Sequence, residues 1–333
     1  MDNMPLQLVE AEQIDAHYAV LAELHNLIYP DYPKSIADWK RSDATREDKY
    51  LYKRTLLWHT EQKQFVGFGI YGHTHWAYHP DRYFLDVFIR PQQWGKGYGK
   101  YLYDIFYAEL LEHHPQSIES ECRENLERGI RFLTDRGYSL KTTEYSAMLN
   151  LASFDPNPFD GLLKKLKGDG FTFCNLTEYE AQEPDSMRKL YDALCAIDRD
   201  IPWHETITPE PFEMFEKRHN MQTEKRIDDC FILALYAGGI AGLTMLFRSP
   251  TDPTRLYTGM SGVMRPYRRR GLVSALKALS LGWAKENLAT ADGIIPSVYT
   301  ENEESNPMYI INERMGFVRQ PSFLFYKKQF TNN

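Results

Sequence analysis

At 333 residues, with 43% hydrophobic and 26% charged residues, the chain has an ordinary globular composition and the length of two domains. A net charge of −7 excludes a phosphate-tracking nucleic-acid surface as the main interface, although the Arg268–Arg270 cluster can still hold a small anion. No run of about 18 apolar residues reads as a membrane span. The opening MDNMPLQLVEAEQ lacks the features of a secretory signal. Cys122, Cys174, Cys195 and Cys230 form no CxxC pair, so reduced thiols in a cytoplasmic protein are expected rather than disulfides or a zinc site.

In chain order, LQLVEAE from residue 6 reads as a strand and Ile14 to Tyr29 as an amphipathic helix that IYPDYP breaks. YLYKRTLLWHT and FVGFGIYGHTHW read as strands joined by the turn-prone EQKQ. YFLDVFIRP is another strand. A glycine turn follows, then a helix from about Gly99 to Glu112. IESECRE is a strand, NLERGIRFLTDRG a helix ending at glycine, and YSLKTTEYSAMLNLA a last strand pair. The second half repeats this order. FTFCNLTEYE reads as a strand and DSMRKLYDALCAID as a helix that RDIPWHE breaks. CFILALY and GIAGLTMLF pair across Ala237-Gly238-Gly239, and LYTGMSGVMRP leads to RRRG. GLVSALKALSLGWAKEN is a helix, GIIPSVYTE a strand, SNPMYIINERMG a helix and SFLFYKKQF the closing strand.

The repeat is one of whole domains. Asp31-Tyr32-Pro33 and Asp200-Ile201-Pro202 lie 169 residues apart, Gly97 and Gly271 lie 174 apart, and Gly137 and Gly316 lie 179 apart. So slow a drift fits loop insertions between two copies, not a solenoid. The expected boundaries are a first domain over 1–153, a linker over 154–169 with at most one short helix, and a second domain over 170–333.

The turns PQQWGKGYGK and PYRRRGLVSA carry the chemistry. A helix start leaves amides unpaired and bears partial positive charge, so it attracts anions. Glycine lets a phosphate approach the backbone, and Lys96, Lys100, Arg268, Arg269 and Arg270 add charge-assisted donors. Each turn alone could equally be a tight strand-to-helix connection. GKGYGK is too short for a P-loop, and the antiparallel hairpins before each turn argue against a dinucleotide-binding fold.

Strand, R/Q-x-x-G-x-G/A turn, helix, strand, then a helix closing on "GF" resembles the GNAT superfamily of acetyl-CoA-dependent N-acetyltransferases. The resemblance runs over nearly the whole chain twice, in the tandem arrangement exemplified by mycothiol synthase. RPQQWGKGYGKYLY resembles the pyrophosphate loop, with Gly95, Gly97 and Gly99 present and Trp94 where a basic residue is usual. In the second half Arg268 and Gly271 fit the pattern, while Val273 takes the small position. TENEESNPMYIINERMGF is the most specific stretch there. The resemblance implies an α/β fold of the α+β type: two tandem domains, each a mixed, mostly antiparallel twisted sheet flanked by helices. The sheet would split between its fourth and fifth strands. Acetyl-CoA or another acyl-CoA would lie in the split, its pantetheine arm on Val87–Ile89 or Val263–Arg265. Its pyrophosphate would sit on Trp94, Gly95, Lys96, Gly97, Tyr98, Gly99 and Lys100, or on Arg268, Arg269, Arg270, Gly271, Leu272, Val273 and Ser274. Asn302 and Asn306 would assist in the second half.

Acetyl transfer to an amine needs a base and a proton for the leaving thiolate. The family commonly places a tyrosine four residues before the glycine that ends the last helix, but Leu133 and Asn312 stand there. Tyr309, one turn earlier, is then the candidate acid, or else a packing residue. Asp86 and Glu301 are candidate bases, and either could simply be solvated. Asp31, Asp200, Trp203, His204 and Glu205, in the loops after the first helix of each half, are candidate acceptor contacts. The second half is the expected seat of chemistry. His73, His75 and His79 fit strand alternation better than a metal site, and no metal is expected. The leading expectation is an acyl-CoA-dependent N-acyltransferase acting by direct attack of a small primary amine on the thioester. A non-catalytic acyl-CoA-binding protein, or a transferase for a protein N-terminus or lysine, stays open. Acceptor identity and oligomeric state are not legible.

Overall fold

The computed structural model describes residues 4–203 and 205–330. The chain forms two compact units. Unit 1 comprises Met1–Thr143, Glu205–Thr208 and Phe323–Asn333, and unit 2 comprises Glu144–His204 and Pro209–Ser322.

Unit 1 runs β1 (Leu6–Glu10), α1 (Asp15–Ile28), α2 (Ile36–Ala44), β2 (Tyr52–His59), β3 (Gln64–Gly72), β4 (Arg82–Ile89), α3 (Tyr98–Leu111), β5 (Ser117–Arg123) and α4 (Glu127–Thr134). β6 (Ser139–Asn150) then carries the chain into unit 2. There follow α5 (Asp160–Gly168), β7 (Phe171–Asn175), α6 (Leu176–Gln182), α7 (Ser186–Asp198), α8 (Phe212–Met221), β8 (Ile232–Tyr236) and β9 (Gly239–Arg248). β10 (Arg255–Val263), α9 (Leu272–Asn287), β11 (Ser297–Glu303), α10 (Met308–Arg314) and β12 (Val318–Gln329) complete the chain.

In unit 1 the strands lie in the order β1-β2-β3-β4-β5-β12, and in unit 2 in the order β6-β11-β10-β9-β8-β7. Each sheet is antiparallel apart from one parallel pair, β4–β5 in unit 1 and β10–β11 in unit 2. The closing strands are exchanged. β12, from the chain's end, pairs with β5 of unit 1 from Phe323↔Arg123 to Gln329↔Ser117. β6, from the first half, pairs with β11 of unit 2 from Ser297↔Asn150 to Glu303↔Glu144. A cut at residue 153 therefore does not separate the units.

Successive strand side chains point to opposite faces, and here both faces are covered. In unit 1, Leu57, Val66, Leu85 and Ile118 pack under Leu102, Phe106 and Leu110 of α3. On the other face Leu56, Phe68 and Phe88 meet Leu21 and Leu24 of α1 and Trp39 of α2. Each such side chain contributes about 1.5–3 kcal/mol on burial. Unit 2 repeats this with Ala275 and Leu276 of α9 on Ala234 and Ala241. Its opposite face packs Leu176, Leu190 and Ile197 on Leu233 and Leu243.

Three helices, α2, α6 and α8, depart from the sequence reading. α2 forms because Ser35 and Asp38 make a reciprocal capping box. The same device, Asn175 with Glu178, ends β7 and starts α6, so FTFCNLTEYE is half strand and half helix. Among the described residues no helix is long and apolar enough to cross a membrane.

Candidate active site

The parallel pairing of β4 with β5 runs from Arg82↔Ser117 to Phe84↔Glu119 and stops there. Beyond it the strands diverge. Asp86 reaches across the gap, its Oδ1 accepting from Ser120 Oγ at 2.7 Å and from the backbone N–H of Glu121 at 3.3 Å. The carboxylate thus satisfies an amide that strand pairing no longer serves. A cavity of about 410 Å³ opens in this split. It is lined by Asp86, Val87 and Ile89, by Trp94, Gly95, Gly97, Tyr98, Gly99 and Lys100, and by Tyr29, Tyr103, Ser120, Glu121, Cys122, Arg128, Leu133 and Arg136. The first-half donor candidates come together here with one exception. Lys96 is not in the lining and donates to Gln93 Oε1 at 2.7 Å.

The turn into α3 is shaped for an anion. Gly97 caps the helix with φ 85° and Gly95 has φ 83°. A Cβ on Gly95 would meet only the Arg128 guanidinium, at 3.5 Å, so the backbone there is open and flanked by a cation. Trp94 does the work of a polar side chain, since its indole N–H donates to Ile89 O at 2.6 Å. In unit 2 Arg268 Nε donates to Val263 O at 2.9 Å from the matching position. The residue at this place pins the end of the strand to the turn, and indole or guanidinium can do it.

Asp86 and Glu121 face each other across the split as two deep carboxyls whose remaining exposure is to the cavity. Burial, reinforced by the Glu121 charge, pushes Asp86 up to about 7. Burial likewise raises Glu121, with Lys34 and Arg123 acting against it. Like charges this close resist ionising together. Tyr103 donates to Tyr138 Oη at 3.2 Å, and burial raises it to about 12, so it is protonated at neutral pH. Tyr29 is held well above its ordinary value by burial, then by Glu121 and Asp86.

The second-half candidates are engaged otherwise. Arg269 has φ 63° where unit 1 has Gly95, and Val273 replaces Gly99. A Cβ therefore projects from the backbone where glycine leaves room in unit 1, at a strain of roughly 1–2 kcal/mol. Asp200 takes Arg265 Nε at 2.9 Å and also binds Arg268, so its carboxylate latches the turn. Hydrogen bonding from Arg265 and then Arg268 holds its carboxyl at about 2. Arg270 lies over the Phe171 ring, 5.9 Å from its centroid, and Leu272 is buried. Ser274 lies in the first turn of α9.

Tyr309 packs against Tyr145 with ring centroids 5.1 Å apart; burial and a hydrogen bond to Glu313 raise it. Asn306 Oδ1 accepts from Met308 N at 3.0 Å and so opens α10. Asn302 Oδ1 accepts from Asn312 Nδ2 at 2.7 Å. Glu301 is half-buried on β11, four residues after Ser297, as Glu121 follows Ser117 on β5. Trp203 donates its indole N–H to Asp198 at 3.1 Å, and His204 lies outside the described residues. Glu205 belongs to unit 1, where Lys327 at 3.1 Å, Arg82 at 3.0 Å and Lys141 surround it. Burial would raise this carboxyl, but Lys141 and Lys327 hold it at about 2. Asp31 sits in the turn after α1, off the cavity wall that Tyr29 joins.

Glu121, Ser120, Tyr103, Arg128 and Arg136 escape the sequence reading. Alternation along SIESECR shows that Glu119 and Glu121 share a face. Only the split between β4 and β5 shows which of them meets Asp86.

A sheet opened beside a glycine-started helix suits an extended thioester donor with a phosphate-bearing tail, the cleft of an acyltransferase. The chain belongs to the GNAT acetyltransferase family, whose sequence profile matches residues 21–138 and again 196–317. It is accordingly an acyltransferase of a family that uses acetyl-CoA. Among solved structures it is similar to a tandem GNAT protein from the clavulanic acid biosynthesis pathway, at 16% identity and a TM-score of 0.72 over 98% of this chain and 99% of that one. A GCN5-related N-acetyltransferase from Sphaerobacter thermophilus is similar at 14% identity and a TM-score of 0.65, over 98% and 97%. So is the glucosamine N-acetyltransferase region of a fungal multi-domain GH3 beta-N-acetylglucosaminidase, at 14% identity and a TM-score of 0.65, over 98% of this chain and 38% of that one. At these identities the likeness is one of fold. No protein of curated function matches the chain.

Proposed function

We propose that the protein is an acyl-CoA-dependent N-acyltransferase acting on a small primary amine, and that unit 1 is its only donor site. The carrying observation is the cavity that joins the glycine turn to the Asp86–Glu121 pair. The residues fit the donor: Gly95 leaves a cradle that a Cβ would fill, and Arg128 flanks it. The α3 amides and Arg128 would hold its diphosphate, and the backbone of Val87–Ile89 its extended arm. When bound, acetyl-CoA supplies an activated acyl carbon.

Asp86 accepts the proton of the incoming amine as nitrogen attacks. Its raised value places it near neutral pH, where a base is both deprotonated and effective. Glu121 keeps that affinity high, and the single negative charge the pair carries attracts a cationic amine, which gives its ammonium proton to solvent before it attacks. Tyr103, on the cavity wall shared with Leu133, turns its hydroxyl from Tyr138 and gives its proton to the departing sulfur. In unit 2 Arg269, Val273 and the Asp200 latch oppose donor binding, which shifts the seat of chemistry to the first half. The test is thiol release from acetyl-CoA over an amine panel, with wild type and Asp86→Asn. Turnover by wild type and a loss of about a hundredfold or more in the variant is expected. Undiminished turnover by Asp86→Asn would remove Asp86 from the mechanism, and no turnover with any amine would favour a binding protein.

A further inference from the structure

Unit 2 retains a split although its phosphate turn is altered. β10 pairs with β11 only from Arg255↔Ser297 to Tyr257↔Tyr299, and the strands then part as β4 and β5 do. Positions can be matched by distance from shared landmarks. Lys277 lies six residues after the capping Gly271, as Tyr103 lies six after Gly97. Phe317 follows Gly316 as Tyr138 follows Gly137. The contacts agree: Tyr103 meets Tyr138, and Lys277 Nζ lies 5.6 Å from the Phe317 ring centroid. Asn312 precedes Gly316 by four residues, as Leu133 precedes Gly137, and Asn302 follows Ser297 as Cys122 follows Ser117.

Tyr103, Leu133 and Cys122 all line the unit 1 cavity. Unit 2 therefore carries a lysine and two asparagines at the places where unit 1 has a phenol, an alkyl group and a thiol. These groups are deep. Lys277 is 3% exposed and makes no hydrogen bond or ion pair among the described residues. Asn312 is 0% exposed, and its Oδ1 has no hydrogen-bond partner among them. A buried lysine without a counter-ion and a buried amide oxygen without a hydrogen-bond partner are each costly, and a packed core would replace them with apolar side chains.

We propose that the split of unit 2 is a second ligand site, for a small carboxylic acid bearing a hydroxyl or amino group, with Lys277 as its anchor. The ligand's carboxylate supplies the anion that Lys277 lacks. Its hydroxyl or amine donates to Asn312 Oδ1, which Asn302 orients through the Nδ2 contact of 2.7 Å. Burial lowers the Lys277 amine to about 8, so it is still mostly charged at neutral pH and attracts an anion. The site is independent of the donor cleft in unit 1.

The test is calorimetric titration of lactate, malate, serine and propionate into the full chain, with wild type, Lys277→Met and Asn312→Leu. Acetyl-CoA titration of the same samples serves as the folding control. At least one hydroxy or amino acid should bind at one equivalent. Lys277→Met should weaken it by about tenfold or more. Asn312→Leu, which restores the residue type of unit 1, should erase its advantage over propionate. Failure of all four acids to bind would overturn the proposal, as would full affinity in Lys277→Met. Equal wild-type affinity for propionate would overturn the role of Asn312.

Discussion

Asp86→Asn should make the protein inactive and more stable. A carboxyl moved from its ordinary 3.8 to about 7 by burial binds a proton more tightly in the folded state than in the unfolded chain. As pH rises through that window the unfolded state releases its proton first, so folding stability falls with pH. A shift of about three units, at 1.36 kcal/mol each, caps the loss at about 4 kcal/mol. Sharing with Glu121 brings it to roughly 2–4 kcal/mol. Asparagine keeps an oxygen for the Ser120 hydroxyl and the Glu121 amide, so the split should survive. Urea unfolding of both proteins across the window would measure the effect. The variant should match wild type near pH 4 and exceed it by about 2 kcal/mol or more at pH 8. A variant equally stable or weaker at pH 8, with an unchanged denaturant slope, would refute the reasoning.

Four further outcomes are expected. Glu121→Gln removes the charge that adds to the effect of burial on Asp86, so the acid limb of the kcat profile should move below about 7, with acetyl-CoA affinity unchanged. Trp94→Phe loses the donor to Ile89 O and should weaken acetyl-CoA binding about three- to tenfold. Trp94→Arg should restore it, because Arg268 makes the same contact in unit 2. Tyr103→Phe should lower kcat by about tenfold or more while leaving acetyl-CoA affinity in place.

Much of the architecture is written locally. The two glycine turns, the helices they open and the hairpins before them follow from hydrophobic period and turn chemistry, and the family resemblance rested on the same residues. The exchange of β6 and β12 is not local. SFLFYKKQF and TEYSAMLN both read as strands, but alternation fixes a strand's faces and not its neighbour. The turn that joins the cavity wall was legible where backbone geometry decides it, at Gly95, Gly97 and Gly99. The rest was not legible where a side chain's partner decides it. Asp200, Glu205 and Arg268 are charged residues in suitable loops, and only the structure shows which ion pairs and backbone contacts engage them. Glu121 and Lys277 were hidden for the opposite reason, since a charged residue on a strand or helix reads as surface until the fold buries it.

Calorimetric stoichiometry of acetyl-CoA on the intact chain, on Gly97→Glu and on Gly271→Glu shows whether the protein has one donor site and whether unit 1 holds it. A carboxylate placed at the left-handed glycine of either turn blocks an anion there by charge and by backbone strain. Wild type should bind one equivalent, Gly271→Glu one and Gly97→Glu none. Two equivalents for wild type, or a single site lost in Gly271→Glu and kept in Gly97→Glu, would contradict a lone donor site in unit 1.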